Sequence, residues 1–173
     1  KGLAFMLQYE NVAWYDSGEV RILDRRVYPT KVEFVVSKTH QEVAQAITDM
    51  VTQSAGPYTA AAMGMALAAY ECRNQTAEAQ AKYLEQASYT ISHARPTTVE
   101  RMKLITEGCL AAAKLAIAAG TDVSQAIVDN TVESNNVRYN KIGKMAKYLV
   151  DMFPDNGAVM TQCFGETIVG QML

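Results

Sequence analysis

Residues 56–71, GPYTAAAMGMALAAYE, are the stretch that decides the fold of this chain. Small and apolar side chains occupy nearly every position, so a helix here has no polar face to turn toward water. Gly56-Pro57 opens the stretch, and proline suits the first helical turn because its missing N–H needs no partner there. We therefore expect a buried central helix around which the other elements pack.

Three extended segments precede this helix. Residues 12–23, VAWYDSGEVRIL, form two runs around Asp16-Ser17-Gly18, a composition typical of a hairpin turn. Residues 31–37, KVEFVVS, add a third run rich in the β-branched and aromatic side chains that favour strands. The sequence therefore predicts a small antiparallel sheet near the amino terminus.

A helical pattern begins at residue 40. Thr39 followed by Glu42 is a capping box, and the helix that it opens has an apolar face made of Val43, Ala46, Ile47 and Met50. The pattern predicts further helices over residues 76–93, from Thr97 or Thr98 to Ala119, from Thr121 or Asp122 to Val132, and over residues 135–150.

A sheet followed by a helical bundle defines an α+β chain. Near the carboxyl terminus, Ala158-Val159-Met160 resembles a short strand, and a helix is predicted from Glu166 to Leu173. Because the chain starts at Lys1 and stops inside an apolar segment, we expect it to be a fragment of a longer protein. The predicted division is a sheet region over residues 1–38, a helical bundle over 39–153, and the start of a second, truncated α/β domain over 154–173.

Composition narrows the function classes. The formal net charge is −2 with no basic stripe, which argues against nucleic-acid binding. No apolar stretch free of charge reaches the ~18 residues that a membrane span needs. Three cysteines without CxxC spacing and only two histidines argue against a metal site, so we expect no metal and no cofactor. The odd cysteine count favours a reducing, cytoplasmic location.

Cys163 lies between the predicted strand and the predicted helix at Glu166. Exposed amides and the helix dipole favour an anion at such a place, and therefore thiolate over thiol. A buried structural cysteine explains the same pattern. Cys163 is thus a candidate functional thiolate, with the structural alternative open.

Two further segments are candidates for holding an anion. The turn Gln53-Ser54-Ala55-Gly56 precedes a buried helix and can present N–H groups to a phosphate; a plain interhelical turn is the alternative. Arg95 precedes Pro96, which favours extended backbone, and sits before a helix amino end where a guanidinium can bind an anion bidentately. A solvated loop arginine is the alternative there.

A group of polar residues lies near the start of the helix predicted over 135–150. Asn135, Asn136 and Asn140 cluster there with Arg138. Asparagine is a usual helix cap, so capping alone explains this cluster.

Several stretches, in order, resemble one family. They are LDRRVYPTKVEFV (23–35) with VAQAITDMV (43–51), AAAMG (60–64), ARPTTV (94–99) beside the family's Arg-Pro-Thr-Ala-Val, RYNKIGKMA (138–146) beside Asn-Arg-x-Ile-Gly, and VMTQCFGE (159–166) beside Leu-Thr-His-Cys-Asn-Ala-Gly. The family is that of the methylthioribose-1-phosphate isomerases, ribose-1,5-bisphosphate isomerases and regulatory subunits of translation initiation factor 2B. The resemblance covers essentially the whole chain.

The resemblance implies an aldose–ketose isomerase of a sugar 1-phosphate, with its site between this region and a Rossmann-like domain that follows. Cys163 matches the family's catalytic cysteine and Arg95 its substrate-binding arginine. The turn Gln53-Ser54-Ala55 falls where the family has an Arg-Gly-Ala phosphate-binding turn. The implied partners are a small sugar phosphate and a second copy of the chain in a homodimer, without nucleic acid or membrane.

The sequence departs from the family pattern around this site. Gln53 or Thr52 stands where the family has the arginine of Arg-Gly-Ala, and Gln162 replaces the histidine before the cysteine. The resemblance places the catalytic aspartate in the following domain, so we expect this chain to be inactive alone. A regulatory or assembly subunit without catalysis is the competing interpretation.

Overall fold

The computed structural model of the chain describes residues 5–161 and 165–173. Strands β1 (Ala13–Asp16), β2 (Glu19–Leu23) and β3 (Phe34–Ser37) form an antiparallel sheet in the order β1-β2-β3. Asp16 pairs with Glu19 across a two-residue turn. In that turn Ser17 and Gly18 have φ angles of 49° and 90°, which suit the twist of a tight hairpin. The predicted hairpin and third strand are confirmed.

Six helices follow in the described part of the chain: α1 (His40–Thr48), α2 (Gly56–Glu71), α3 (Ala77–Ser92), α4 (Val99–Ala119), α5 (Val123–Val150) and α6 (Glu166–Met172). Single 3-10 turns cover Tyr9–Asn11 and Pro96–Thr98. Gly120 ends α4 in the left-handed region, with φ of 68°, as its position predicts. The α+β class is confirmed, and no described helix is both long and apolar enough to cross a membrane.

Helix α2 is the centre of the core, as its composition predicts. Every residue from Thr59 to Ala69 is buried, and the helix contacts the sheet as well as α1, α3, α4 and α5. Gly64 is the point of closest approach, since a Cβ there would lie 2.9 Å from Val43 Cγ1 and 3.1 Å from Ile91 Cδ1. The missing side chain therefore lets α1 and α3 pack directly on the α2 backbone.

Helix α1 begins at the predicted cap. The Thr39 hydroxyl accepts a hydrogen bond from the Glu42 N–H at 3.2 Å, and the Glu42 carboxylate accepts one from the Lys38 N–H at 2.6 Å. The prediction for Met50 was wrong. The helix ends at Thr48, and Met50 adopts a φ of 60° with its side chain 47% exposed. The chain has already left the helix there, so helical spacing no longer applies.

Helix α5 runs without a break through the region where we predicted two helices. Asn135, Asn136 and Asn140 all lie inside it, so the expected capping role was wrong. Asparagine caps a helix only where the backbone N–H groups lack partners. No glycine or proline interrupts residues 123–142, and packing against α2 and α4 carries the helix through this polar segment.

The predicted strand at Ala158-Val159-Met160 was also wrong. Residues 157–161 have no strand geometry, and the Val159 and Met160 side chains are 51% and 98% exposed. A strand needs a hydrogen-bonded neighbour, and the described part of the chain places none beside this segment. The predicted helix at Glu166 does form and packs on α5. The assignment of residues 154–173 to a second domain stays a prediction.

Candidate functional site

The turn between α1 and α2 is tightly constrained. Ser54 is exposed and has a φ of 56°, in the left-handed region that non-glycine residues seldom adopt. The Gly56 N–H donates to the Gln53 carbonyl at 2.9 Å, so this amide is used inside the turn. The Gln53 side-chain amide donates to the Met50 carbonyl at 3.2 Å. The turn is therefore built with its own internal bonds.

Arg95 binds this turn from a segment 43 residues away. Its Nε donates to the Ile47 carbonyl and its Nη2 to the Thr52 carbonyl, both at 2.6 Å. Arg95 has the extended backbone that Pro96 imposes, with φ of −134° and ψ of 125°. Burial lowers the pKa of the half-buried guanidinium, although arginine stays protonated at neutral pH. Arg95 thus fixes the end of α1 to the start of the turn and brings a positive charge there.

The turn and the start of α6 line a common groove. Ser54 and Ala55 face Gly165, Thr167 and Ile168 across a cavity of about 180 Å³, with Ile142 of α5 beside them. Gly165 stands two residues after Cys163, so the groove lies next to the cysteine in sequence. Cys163 itself lies outside the described residues.

The predicted site residues therefore divide into three groups. Ser54 and Ala55 of the turn and Gly165, just after Cys163, line one groove. Arg95 lies at the same turn, but its Nε and Nη2 donors are directed to backbone carbonyls. The prediction that Cys163 faces a shared anion-binding hollow stays a prediction.

Thr52 is a residue of this turn that the sequence offered only as one of two replacements for the family's arginine. It is 1% exposed, and its Oγ1 atom is buried with no hydrogen-bond partner among the described residues. A Cβ on Gly56 would collide with that hydroxyl, so Gly56 is required for the close approach. The small-residue turn signalled Gly56, whereas nothing in the local sequence distinguishes Thr52 from an ordinary loop threonine.

The two described cysteines are poor nucleophiles. Cys72 and Cys109 are free thiols in the core. Burial raises the pKa of Cys72, and it raises the pKa of Cys109 to about 12, so both remain protonated at neutral pH. Within residues 5–161 and 165–173, no group of three or more histidine, cysteine, aspartate or glutamate side chains could hold a metal ion.

Comparison with known proteins identifies the relatives of this chain. No protein-family profile matches it. It is 30% identical to the methylthioribose-1-phosphate isomerase of Caldanaerobacter subterraneus over 158 residues, covering 86% of this chain and 44% of that protein. It is 27% identical to the isomerase of Carboxydothermus hydrogenoformans, also over 158 residues, covering 89% and 44%.

Solved structures share the fold. The 5-methylthioribose 1-phosphate isomerase of Pyrococcus horikoshii superposes with a TM-score of 0.65 at 23% identity, over 83% of this chain and 40% of that one. The delta subunit of initiation factor eIF-2B from A. fulgidus gives 0.62 at 22% identity, over 82% and 41%.

These relatives confirm the resemblance seen in the motifs. The chain is similar in sequence to methylthioribose-1-phosphate isomerases, and it shares its fold with one such isomerase and with an initiation factor eIF-2B subunit. It spans less than half the length of the curated relatives that it matches, which fits an amino-terminal portion of such a protein.

Proposed function

We propose that this chain is the amino-terminal part of an aldose–ketose isomerase that acts on a sugar 1-phosphate, as the methylthioribose-1-phosphate isomerases do. The similarity to several isomerases supports the reaction class. The observation that carries the proposal is the groove in which Ser54 and Ala55 face Gly165 and Thr167. This groove joins the turn proposed to bind phosphate to the chain beside the proposed catalytic cysteine.

The isomerisation needs no cofactor, because one carbon of the sugar is oxidised while the neighbouring carbon is reduced. The sugar ring opens at C1, and the ring oxygen takes up a proton. A hydrogen then moves from C2 to C1 with its electron pair, so C2 is oxidised to a ketone and C1 is reduced, while the C2 hydroxyl loses its proton. The protein must hold the phosphate, exclude water and handle that proton.

The residues of the turn have distinct proposed roles. Amides of the turn at Ser54 and Ala55 hold the phosphate, and Arg95 stabilises the anion through its charge while it fixes the turn through Ile47 and Thr52. Cys163 faces the reacting carbons as a proton carrier or a group that stabilises charge. An acid from a following domain completes the site, so the 173-residue chain is inactive alone.

The test is turnover of methylthioribose 1-phosphate by the protein that carries this chain. We expect Cys163→Ser to reduce kcat by about 100-fold or more, as the loss of a general acid–base group does, with unchanged thermal unfolding. Cys72→Ala, which removes a buried thiol in the core, is the matched control and should keep its kcat. Full turnover in Cys163→Ser would contradict the catalytic assignment.

A non-catalytic regulatory or assembly subunit is the second candidate. Gln53 stands where the isomerase pattern has arginine, and its amide is bound inside the turn to the Met50 carbonyl. The fold is also that of an initiation factor 2B subunit. Calorimetry with a ribose 1-phosphate, run beside the turnover assay, separates the two: binding without turnover in the parent protein supports the regulatory function.

We further propose a cytoplasmic homodimer. The carboxyl-terminal end of α5 exposes Tyr148 at 73% and Met145 at 58%, and contiguous exposed apolar patches mark protein–protein interaction surfaces. Light scattering during size exclusion tests this: a monomer at tens of micromolar would contradict the proposal.

A further inference from the structure

A cleft with unused donors lies between α2, α4 and α5. Its inner part has a volume of about 150 Å³ and is bounded by Tyr58, Ile105, Asn135 and Arg138. It continues into a wider groove of about 640 Å³, which Arg101, Arg138 and Lys141 line. Ile142 lines both this groove and the one beside the turn, so the two adjoin.

Two buried donors in the cleft have no partner. Asn135 is 8% exposed, and its Oδ1 accepts a hydrogen bond from Arg138 Nη2 at 3.4 Å. Because the arginine can only donate, this contact assigns the amide oxygen to the Arg138 side and leaves Nδ2 as the end without a partner. Asn135 Nδ2 and Arg138 Nε are both buried without a hydrogen-bond partner among the described residues. Native proteins rarely leave such groups unsatisfied unless a ligand, ion or water completes them.

The charge around these donors is positive. The Arg138 guanidinium lies 5.2 Å from the centroid of the Tyr139 ring, and that of Arg101 lies 5.3 Å from the Tyr58 ring. In the part of the chain that the structure describes, neither arginine forms an ion pair with a carboxylate. Glu133 is exposed and is the acidic residue among those that line the cleft and the groove. The three positive charges of Arg101, Arg138 and Lys141 therefore exceed the single negative charge of Glu133.

We propose that this cleft is a binding site for a small phosphate-bearing metabolite. The phosphate oxygens accept hydrogen bonds from Arg138 Nε and Asn135 Nδ2, while Arg101 and Lys141 supply charge at the mouth. Tyr58 and Ile105 form an apolar wall for the carbon part of the ligand. The proposal does not depend on the isomerase function, because it uses none of the residues of the turn at 53–56.

The test is binding of inorganic phosphate and of ribose 5-phosphate to the 173-residue chain, by calorimetry at constant ionic strength set with sodium chloride. We expect both to bind, with Arg138→Gln weakening the affinity on the order of 10-fold and Arg101→Gln, at the exposed mouth, by about 3-fold. Arg21→Gln is the matched control: it removes the same charge from strand β2 and should leave the affinity unchanged.

A second variant reports on the site even if phosphate binds elsewhere as well. Asn135→Leu keeps the side-chain volume and removes the unpaired Nδ2, so the variant should gain thermal stability in chloride but lose the stabilisation that phosphate gives the wild type. Equal phosphate stabilisation in wild type, Asn135→Leu and Arg138→Gln would overturn the proposal. Equal binding of acetate would overturn the phosphate class, and weaker phosphate binding in Ser54→Pro alone would place the anion at the turn instead.

Discussion

Arg95 and Arg138 stand in two adjoining regions whose donors are used in opposite ways. At the α1–α2 turn, Arg95 donates at 2.6 Å to the carbonyls of Ile47 and Thr52. In the α4–α5 cleft, Arg138 Nε is buried without a partner among the described residues, and its Nη2 makes one long bond, 3.4 Å, to Asn135. The Arg95 donors are thus used within the fold, whereas two buried donors of the cleft, Arg138 Nε and Asn135 Nδ2, have no partner among the described residues.

The largest expected effect is a difference in the free energy of unfolding between variants at Arg95 and at Arg138. Arg95→Leu should lower the free energy of unfolding by about 3–5 kcal/mol, because two charge-assisted hydrogen bonds are lost and both carbonyls lose a partner. Arg138→Leu should change it by less than about 1 kcal/mol, since it also removes an unsatisfied buried donor. Urea unfolding of both variants measures the difference. Equal destabilisation would show that the two regions are built alike.

Two glycines compare the packing of the helical core with that of the cleft. A Cβ on Gly64 would meet Val43 and Ile91, whereas a Cβ on Gly108, which lines the cleft, would meet nothing within 4 Å. Gly64→Ala should therefore destabilise the protein by about 1–3 kcal/mol through overpacking. Gly108→Ala should stabilise it by about 1 kcal/mol through helix propensity. Thermal denaturation gives both signs, and a stable Gly64→Ala would contradict the close packing of α2.

Cys109 lines the cleft. The pH dependence of stability that its thiol contributes tests whether water reaches this part of the cleft. Burial raises the pKa of this thiol to about 12 from an ordinary value near 9. A raised thiol pKa contributes stability that is complete below pH 9 and is lost as the pH rises from 9 toward 12, because the unfolded thiol ionises first. We expect wild type to lose about 2 kcal/mol more than Cys109→Ala between pH 8.5 and pH 10.5. Parallel curves for the two proteins would mean that water reaches the thiol.

The smallest expected effect concerns the capping residues of helices α1 and α4. The Thr39 hydroxyl accepts from the Glu42 N–H and caps α1, whereas Thr98 precedes α4 without a side-chain cap bond. Thr39→Ala should cost about 1 kcal/mol of stability, and Thr98→Ala should cost less than about half of that. Chemical denaturation of both variants at one pH decides the order. A larger loss in Thr98→Ala would mean that its hydroxyl contributes more than its geometry indicates.

Local patterns predicted most of the elements. The hairpin at Asp16-Ser17-Gly18, the cap at Thr39 and the left-handed Gly120 each follow from one or two residues whose chemistry is decisive by itself. The predictions were wrong where contacts with other elements of the fold determine the secondary structure. The polar segment around Asn136 reads as a helix start, yet packing on α2 and α4 continues the helix, and the run at Val159 reads as a strand but has no described strand beside it.

The candidate site was predictable only in outline. The motifs indicated the turn at Ser54 and the arginine at Arg95, and Arg95 donates a hydrogen bond to the Thr52 carbonyl, two residues before Ser54. No pattern in the sequence reveals that Arg95 uses its donors on Ile47 and Thr52. The pairing joins residues more than forty positions apart, and local spacing carries no information about such contacts.

The sequence by itself determined the α+β class, the buried helix over 56–71 and the relationship to sugar-phosphate isomerases, because these depend on residue type and order along the chain. Only the tertiary structure decided which donors are satisfied. A hydrogen bond depends on the distance and direction between two atoms, and folding sets both. The guanidinium group of Arg95 therefore stabilises the turn, whereas that of Arg138 is proposed to bind a ligand.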